Sequence, residues 1–113
     1  MIAEELKELA VGSLEDMKGQ NIVCLNVKDM TSVCDYMLVV TGTSSRHLKA
    51  LTDELGKQVK QAGGIVYGSE GQDSMDWILV DLGDVVVHAM LQATRELYDL
   101  ESLWSITAER KTE

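Results

Sequence analysis

Two segments of the chain carry apolar residues at helical spacing. Residues 2–18 place them at three- and four-residue steps and end before Gly19, which predicts an amphipathic helix. A second set repeats these steps, stops at Gly63-Gly64, and has Thr43 or Ser44 available to cap its first turn. The apolar positions of this second predicted helix are Leu48, Leu51, Leu55, Val59 and Ala62.

Runs of β-branched and apolar residues predict five strands. They cover residues 22–27, 36–41, 65–67, 77–82 and 85–90. The second run, YMLVVT, is apolar at successive positions, which is typical of a central strand that is buried on both faces. Two residues, Gly83-Asp84, separate the last two runs and predict a hairpin.

The segments between and after these runs complete the picture. Residues 28–33 and 68–76 are polar and predict loops, and residues 91–104 predict a helical or turn-rich segment that packs back on the sheet. The order is then helix, two strands, helix, three strands, helix. We therefore expect an α/β or α+β fold with a single mixed sheet of about five strands and helices packed on it.

Chain length fits one domain, which we place at residues 1–107, with residues 108–113 as a frayed tail. Within that domain, the strand–helix–strand step across residues 36–67 predicts a right-handed parallel crossover.

Charge is concentrated in one third of the sequence. The formal net charge is −9, and residues 70–104 hold eight acids against a single base, Arg95. Such a surface repels phosphate backbones and attracts a basic protein, so we expect no sequence-specific nucleic acid partner. The acidity is equally suited to a role in solubility alone.

The cysteines, the first residues and the length of the apolar runs indicate the cellular compartment. Cys24 and Cys34 stand among apolar residues without metal-ligand spacing, which is typical of reduced core thiols. The first residues do not form a signal peptide, and no apolar run is long enough to span a bilayer, so we expect a cytoplasmic protein without a membrane partner.

Three places have residue types that could support chemistry. The Gly42-Thr43-Ser44-Ser45 turn between a strand and a helix could hold an anion beside Arg46, but it lacks a phosphate-binding glycine motif and is typical of a capped turn. Asp81 and Asp84 have the spacing of an acidic hairpin turn. His88 has no neighbouring motif that would make it a base. We therefore expect no catalytic residue, no metal and no cofactor.

Aromatic residues are scarce, with no Phe, two Trp and three Tyr. Trp77, Tyr98 and Trp104 all fall in the acidic third, where each could fill the core or stand exposed as an anchor. An exposed aromatic patch that is rimmed by carboxylates is typical of a docking site for a basic partner.

Three ordered blocks resemble the signatures of the ribosomal silencing factor family, also called Iojap-like. They are residues 35–47 (DYMLVVTGTSSRH), 77–88 (WILVDLGDVVVH) and 95–104 (RELYDLESLW). The resemblance covers about residues 3–105. The chain departs from the family pattern at residues 89–94, where AMLQAT replaces an aromatic residue and a Pro-Glu pair, so the contacts there can differ.

This resemblance implies a binding protein and not an enzyme. Family members bind a ribosomal protein on the subunit-joining face of the large ribosomal subunit, block association with the small subunit, and lower translation when nutrients are scarce. They are also linked to large-subunit assembly. Their fold is similar to that of nucleotidyltransferases, but none of the later predicted strands has the pair of carboxylates two residues apart that would hold catalytic metals.

From these features we predict the residues that meet the ribosomal protein. They are the apolar anchors Trp77, Leu82, Val86 and Tyr98, the acids Asp84, Glu96 and Glu101, and His88 as a hydrogen-bonding group. Two other interpretations stay open. One is a degenerate nucleotidyltransferase-like protein that binds nucleotide at residues 42–46, and the other is an assembly scaffold or homodimer.

Overall fold

The predicted order of elements is confirmed in the computed structural model, which describes residues 1–74 and 76–99. The predicted tail at residues 108–113, Glu101 and Trp104 lie outside these residues. The elements are α1 (Ala3–Asp16), β1 (Gln20–Asn26), β2 (Tyr36–Gly42), α2 (Ser45–Gln61), β3 (Gly68–Glu70), β4 (Trp77–Asp81), β5 (Val85–Leu91) and α3 (Gln92–Tyr98).

One mixed sheet organises these elements, as the apolar pattern predicts. Its strand order is β1-β2-β5-β4-β3, with β2 and β5 parallel and every other pair antiparallel. β2 lies between two neighbours and is buried on both faces, with Leu38, Val39 and Val40 fully inaccessible. The strand that follows α2 runs parallel to β2, but β5 and β4 lie between the two.

Helices α1 and α2 cover one face of the sheet. The predicted residues Leu48, Leu51, Leu55 and Val59 of α2 are all buried, because their spacing places them on a single side of the helix. They pack with alternate residues of β2, β4 and β5 in the main core. None of the helices in the described residues combines the length and apolar character needed to cross a membrane.

A histidine joins the two helices at the end of β2. The backbone N–H of Thr43 donates to His47 Nδ1 at 2.9 Å, so Nδ1 carries a lone pair and Nε2 carries the proton. His47 Nε2 then donates to the carbonyl of Met17 at 2.9 Å. The turn that leads into α2 is thereby fixed to the end of α1.

The position of β3 is a correction to the sequence prediction. The predicted strand at residues 65–67 is not found, and the strand lies three residues later at Gly68–Glu70. Ile65 and Tyr67 remain 60% and 65% exposed. Residues 65–67 have the better strand propensity, but residues 68–70 are the ones that lie opposite the free edge of β4. Hydrogen bonding to this edge therefore determines where β3 forms.

The two cysteines have different surroundings. Cys34 is buried with Leu25 and Val27 in a second, smaller core on the sheet face opposite α1 and α2, as predicted, whereas Cys24 is exposed, so the prediction of a core thiol there is wrong. Desolvation raises the pKa of both thiols. Both side chains are therefore protonated near neutral pH, and neither is an activated nucleophile.

Replacing Leu38 tests whether β2 is the centre of the core. Leu38→Ala should lower the free energy of unfolding by about 3 kcal/mol, because it leaves a cavity within the core. Urea unfolding followed by circular dichroism measures this change. Val33→Ala is the control, since Val33 is 77% exposed and its loss should cost less than about 0.5 kcal/mol. Equal losses in the two variants would contradict the central position of β2.

Candidate docking site

The face of the sheet opposite α1 and α2 carries most of the predicted contact residues. Strand pairing sets Trp77 opposite Met90 and Leu79 opposite His88, so these four side chains share this face. Val86 lies two residues before His88 on the same face, where it packs against the smaller core. We call this the open face.

Three of the predicted residues meet around Trp77. Its indole Nε1 donates to His88 Nδ1 at 3.0 Å. The ring of Tyr98 lies 4.8 Å from the Trp77 ring between centroids, at an interplanar angle of 51°. This tilted geometry is favourable for aromatic pairs. Trp77 is partly exposed and Tyr98 is 55% exposed, so the pair presents apolar surface to a partner.

His88 is held in its neutral form. Only 7% of the residue is exposed, and this burial lowers the pKa of the imidazole to about 4. The indole N–H can donate to Nδ1 only while that nitrogen is unprotonated. His88 therefore fixes the orientation of Trp77 through most of the pH range.

Asp76 links the strand of Trp77 to the helix of Tyr98, and the sequence analysis did not select it. Its carboxylate accepts hydrogen bonds from the hydroxyls of Ser74 at 2.7 Å and Thr94 at 3.1 Å, and these bonds lower the pKa of Asp76. Its carbonyl accepts the N–H of Leu91 at 3.0 Å. A serine two residues before an acid at the start of a strand is typical of a side-chain turn. This pattern in the sequence could have identified Asp76.

Arg95, the single base of the acidic third, is turned inward. It is 6% exposed, and its guanidinium donates to Thr41 Oγ1 at 2.8 Å. This contact anchors α3 to the end of β2.

A shallow cleft of about 350 Å³ lies beside the aromatic pair. Its lining combines the two rings with acidic and polar groups, namely Glu70, Gly71, Ser74, Asp76, Trp77, Leu79 and Tyr98. Gly71 adopts a φ of +83°, and a Cβ atom there would collide with the carbonyl of Trp77. The loop can approach β4 this closely only with glycine at that position.

Leu82 does not lie on the open face, which is a correction to the prediction. It is 3% exposed and belongs to the main core under the helices. It lies five positions after Trp77, and two side chains an odd number of positions apart along a strand lie on opposite faces. Its side chain supports the hairpin from the side of the sheet that the helices cover.

The predicted acids have separate positions. Asp84 is exposed at the tip of the hairpin, where Gly83 turns the chain with a φ of +88°. Glu96 is exposed on α3, and its carboxylate accepts from the side-chain amide of Gln92 at 3.0 Å. Glu101 falls outside the described residues. The structure therefore brings Trp77, His88 and Tyr98 together, with Glu96 on the same helix as Tyr98 and Asp84 at the opposite end of the hairpin.

The Gly42 turn is a capped turn, as predicted. Ser44 Oγ accepts the backbone N–H of His47 at 3.1 Å, and the N–H of Thr43 is taken by the imidazole of the same residue. These donors are thus already used within the protein. Among residues 1–74 and 76–99, no three His, Cys, Asp or Glu side chains are grouped so that they could hold a metal ion.

Comparison with known proteins gives a consistent result. The family model described as ribosomal silencing factor during starvation matches residues 2–113. A ribosomal silencing factor from Chromobacterium violaceum is 47% identical over 104 residues, which are 92% of this chain and 85% of that protein. A crystal structure from the same organism superposes with a TM-score of 0.90 at 47% identity, over 93% of this chain and 88% of that one.

A mouse protein is also similar. It is named mitochondrial assembly of ribosomal large subunit protein 1 and is 35% identical over 102 residues, which are 88% of this chain and 45% of that protein.

The buried imidazole predicts a pH-dependent stability. The pKa of His88 is about 4 in the folded protein and near 6.5 in the unfolded chain, so the unfolded chain binds more protons between these values. The neutral His88 side chain therefore makes its full contribution to the free energy of unfolding above pH 6.5, and this contribution is lost as the pH falls toward 4. Between pH 7 and 5 the wild type should lose about 2 kcal/mol more than His88→Gln.

Urea unfolding at both pH values measures this difference. The glutamine introduced by His88→Gln does not titrate, and its amide oxygen can still accept the indole N–H of Trp77. If the wild type and the variant lose the same stability between pH 7 and 5, His88 is not held neutral by burial.

Proposed function

We propose that this chain, which belongs to the ribosomal silencing factor family, binds a ribosomal protein on the subunit-joining face of the large ribosomal subunit. Bound there, it occupies space that the small subunit needs and so prevents the two subunits from associating. Translation falls as a result when nutrients are limiting. The observation that carries this proposal is the exposed aromatic pair of Trp77 and Tyr98 within an acidic surface.

The aromatic pair supplies the apolar centre of the contact. Tyr98 is more than half exposed, and the indole of Trp77 is already held by its hydrogen bond to His88, so it loses little conformational freedom on binding. Rigid aromatic anchors of this kind usually contribute most of the binding energy of an interface. Leu79 and the cleft beside Trp77 extend the apolar surface.

The acids around this centre select a basic partner. Glu70 and Asp76 line the cleft beside Trp77, and Glu96 and Asp99 are exposed on α3 and at its end, whereas Asp84 lies at the far tip of the hairpin. Rim charges of this kind speed association and suppress wrong partners more than they raise affinity. Binding should therefore weaken as the salt concentration rises.

The proposed action needs no chemical step. A steric block requires only that the protein stay bound for longer than subunit association takes. The name of the mouse relative suggests a related role in assembly of the large subunit, and the same docked position would serve both roles.

Tyr98 tests the docking face. Tyr98→Ala should lower the affinity for purified large subunits about 30-fold, which corresponds to roughly 2 kcal/mol for one anchor. Binding is measured by co-sedimentation across a concentration series. Tyr98→Phe is the matched control, because it keeps the ring against Trp77 and removes only the hydroxyl, and it should bind within about threefold of the wild type.

Both variants should unfold at nearly the wild-type temperature, because Tyr98 is largely exposed. If Tyr98→Ala binds large subunits as well as Tyr98→Phe does, the aromatic pair is not the anchor, and the proposed face is wrong.

A further inference from the structure

The outer side of α2 carries a line of cations. Arg46, Lys49, Lys57 and Lys60 are all exposed, and with Asp53 they follow one another at steps of 3, 4, 4 and 3 residues. The buried residues of α2 begin at Leu48 with the same steps, two residues further on. A shift of two residues is about 200° around a helix, so the cations lie opposite the core. We call them the α2 stripe.

The positive charge of the α2 stripe contrasts with the negative net charge of the whole protein. Four of the ten Lys and Arg residues lie on it, in a chain with a net charge of −9. In the described part of the chain, its cations make no ion pair, although Asp53 lies among them. The first turn of α2 has no acidic residue, so the positive end of the helix dipole adds to the charge of Arg46.

The stripe and the open face point to opposite sides of the molecule. α2 packs on the sheet face formed by Val40, Val87 and Ile78, while Trp77 and His88 belong to the other face. The acids of the docking site and the cations of α2 are therefore separated by the thickness of the sheet.

The chemistry of the stripe fits a phosphate backbone better than a protein. None of the exposed large apolar residues lies on α2, so the helix offers no apolar centre of the kind that protein interfaces use. Its cations extend over about 21 Å, at a helical rise of 1.5 Å per residue. Exposed Lys and Arg in a line contact phosphates without reading sequence.

A groove next to the stripe adds polar groups. It has a volume of about 360 Å³ and lies between the C-terminal half of α2 and β3. Lys57 and Lys60 line it together with Asp53, Ser69 and Gln72, while the hydroxyl of Thr52 donates to backbone carbonyls of α2. The hydroxyl of Ser69 and the amide of Gln72 can hydrogen-bond to phosphate and ribose oxygens beside the two lysines.

We propose that the α2 stripe binds the phosphate backbone of ribosomal RNA on the side of the docked chain that faces away from the ribosomal protein. This inference rests on the proposed function, because the net negative charge keeps the affinity for free RNA low. Docking raises the local concentration of RNA at the stripe, and the stripe then contributes to the affinity of the complex. The contact is independent of sequence and strongly dependent on salt.

A double variant tests the stripe in the full chain. Lys49→Gln with Lys57→Gln should lower the affinity for purified large subunits roughly tenfold at about 0.1 M salt. The slope of log affinity against log salt should fall by about 1.4 in magnitude, since each lost phosphate contact removes about 0.7. Lys7→Gln with Lys28→Gln is the control, because it removes the same charge from two ammonium groups that lie 5.0 Å from the centre of the Tyr36 ring, away from the stripe, and it should leave both quantities unchanged.

A photo-cross-linking residue identifies what the stripe touches. Asp53→p-benzoylphenylalanine places the probe among the cations and keeps all four of them, and its product with large subunits should be sensitive to ribonuclease. The same residue at Val33, which is 77% exposed in the loop before β2, at the end of that strand away from the start of α2, serves as the control and should give no RNA product.

The outcomes separate the two proposals. Equal affinity and equal salt slope in the two double variants, or cross-links from position 53 to protein alone, would overturn the RNA contact and leave the docking proposal intact. If the wild type fails to bind large subunits at all, both proposals are overturned.

Discussion

The parallel pairing of β2 with β5 is the contact on which the rest of the molecule depends. It joins Tyr36 to Val85 at one end and Gly42 to Leu91 at the other, between strands that are far apart in sequence. Both strands end at the same edge of the sheet, where one leads into α2 and the other into α3. The hydrogen bond from Arg95 to Thr41 joins α3 to that edge, so the same pairing positions both α2 and α3.

Most of the fold could be predicted from periodicity because the core positions obey it closely. The helical steps of Leu48, Leu51 and Leu55 and the apolar run of β2 each match one burial pattern. The exception is β3, where Ile65 and Tyr67 have strand propensity and remain exposed. The position of a three-residue edge strand depends on the hydrogen bonds that the neighbouring strand offers. The residues of the edge strand alone therefore do not predict where it forms.

The candidate site was predicted in part. Trp77, His88 and Tyr98 do meet, and the resemblance to a family, with the scarcity of aromatic residues, was enough to select them. Leu82 was predicted as a contact residue, but strand alternation from Trp77 places it in the core under the helices. Asp76 was missed because its importance comes from Thr94, which only the folded chain brings to it.

The distance in sequence between β2 and β5 also bears on the order in which the chain emerges during its own synthesis. β2 is buried on both faces, yet its parallel partner begins about 50 residues later. Until that partner has been made, Leu38, Val39 and Val40 lack one neighbouring strand, and β4 has no centre to pair with. The aromatic pair of Trp77 and Tyr98 can therefore form only after both β5 and α3 have been made, so this part of the surface is among the last to take shape.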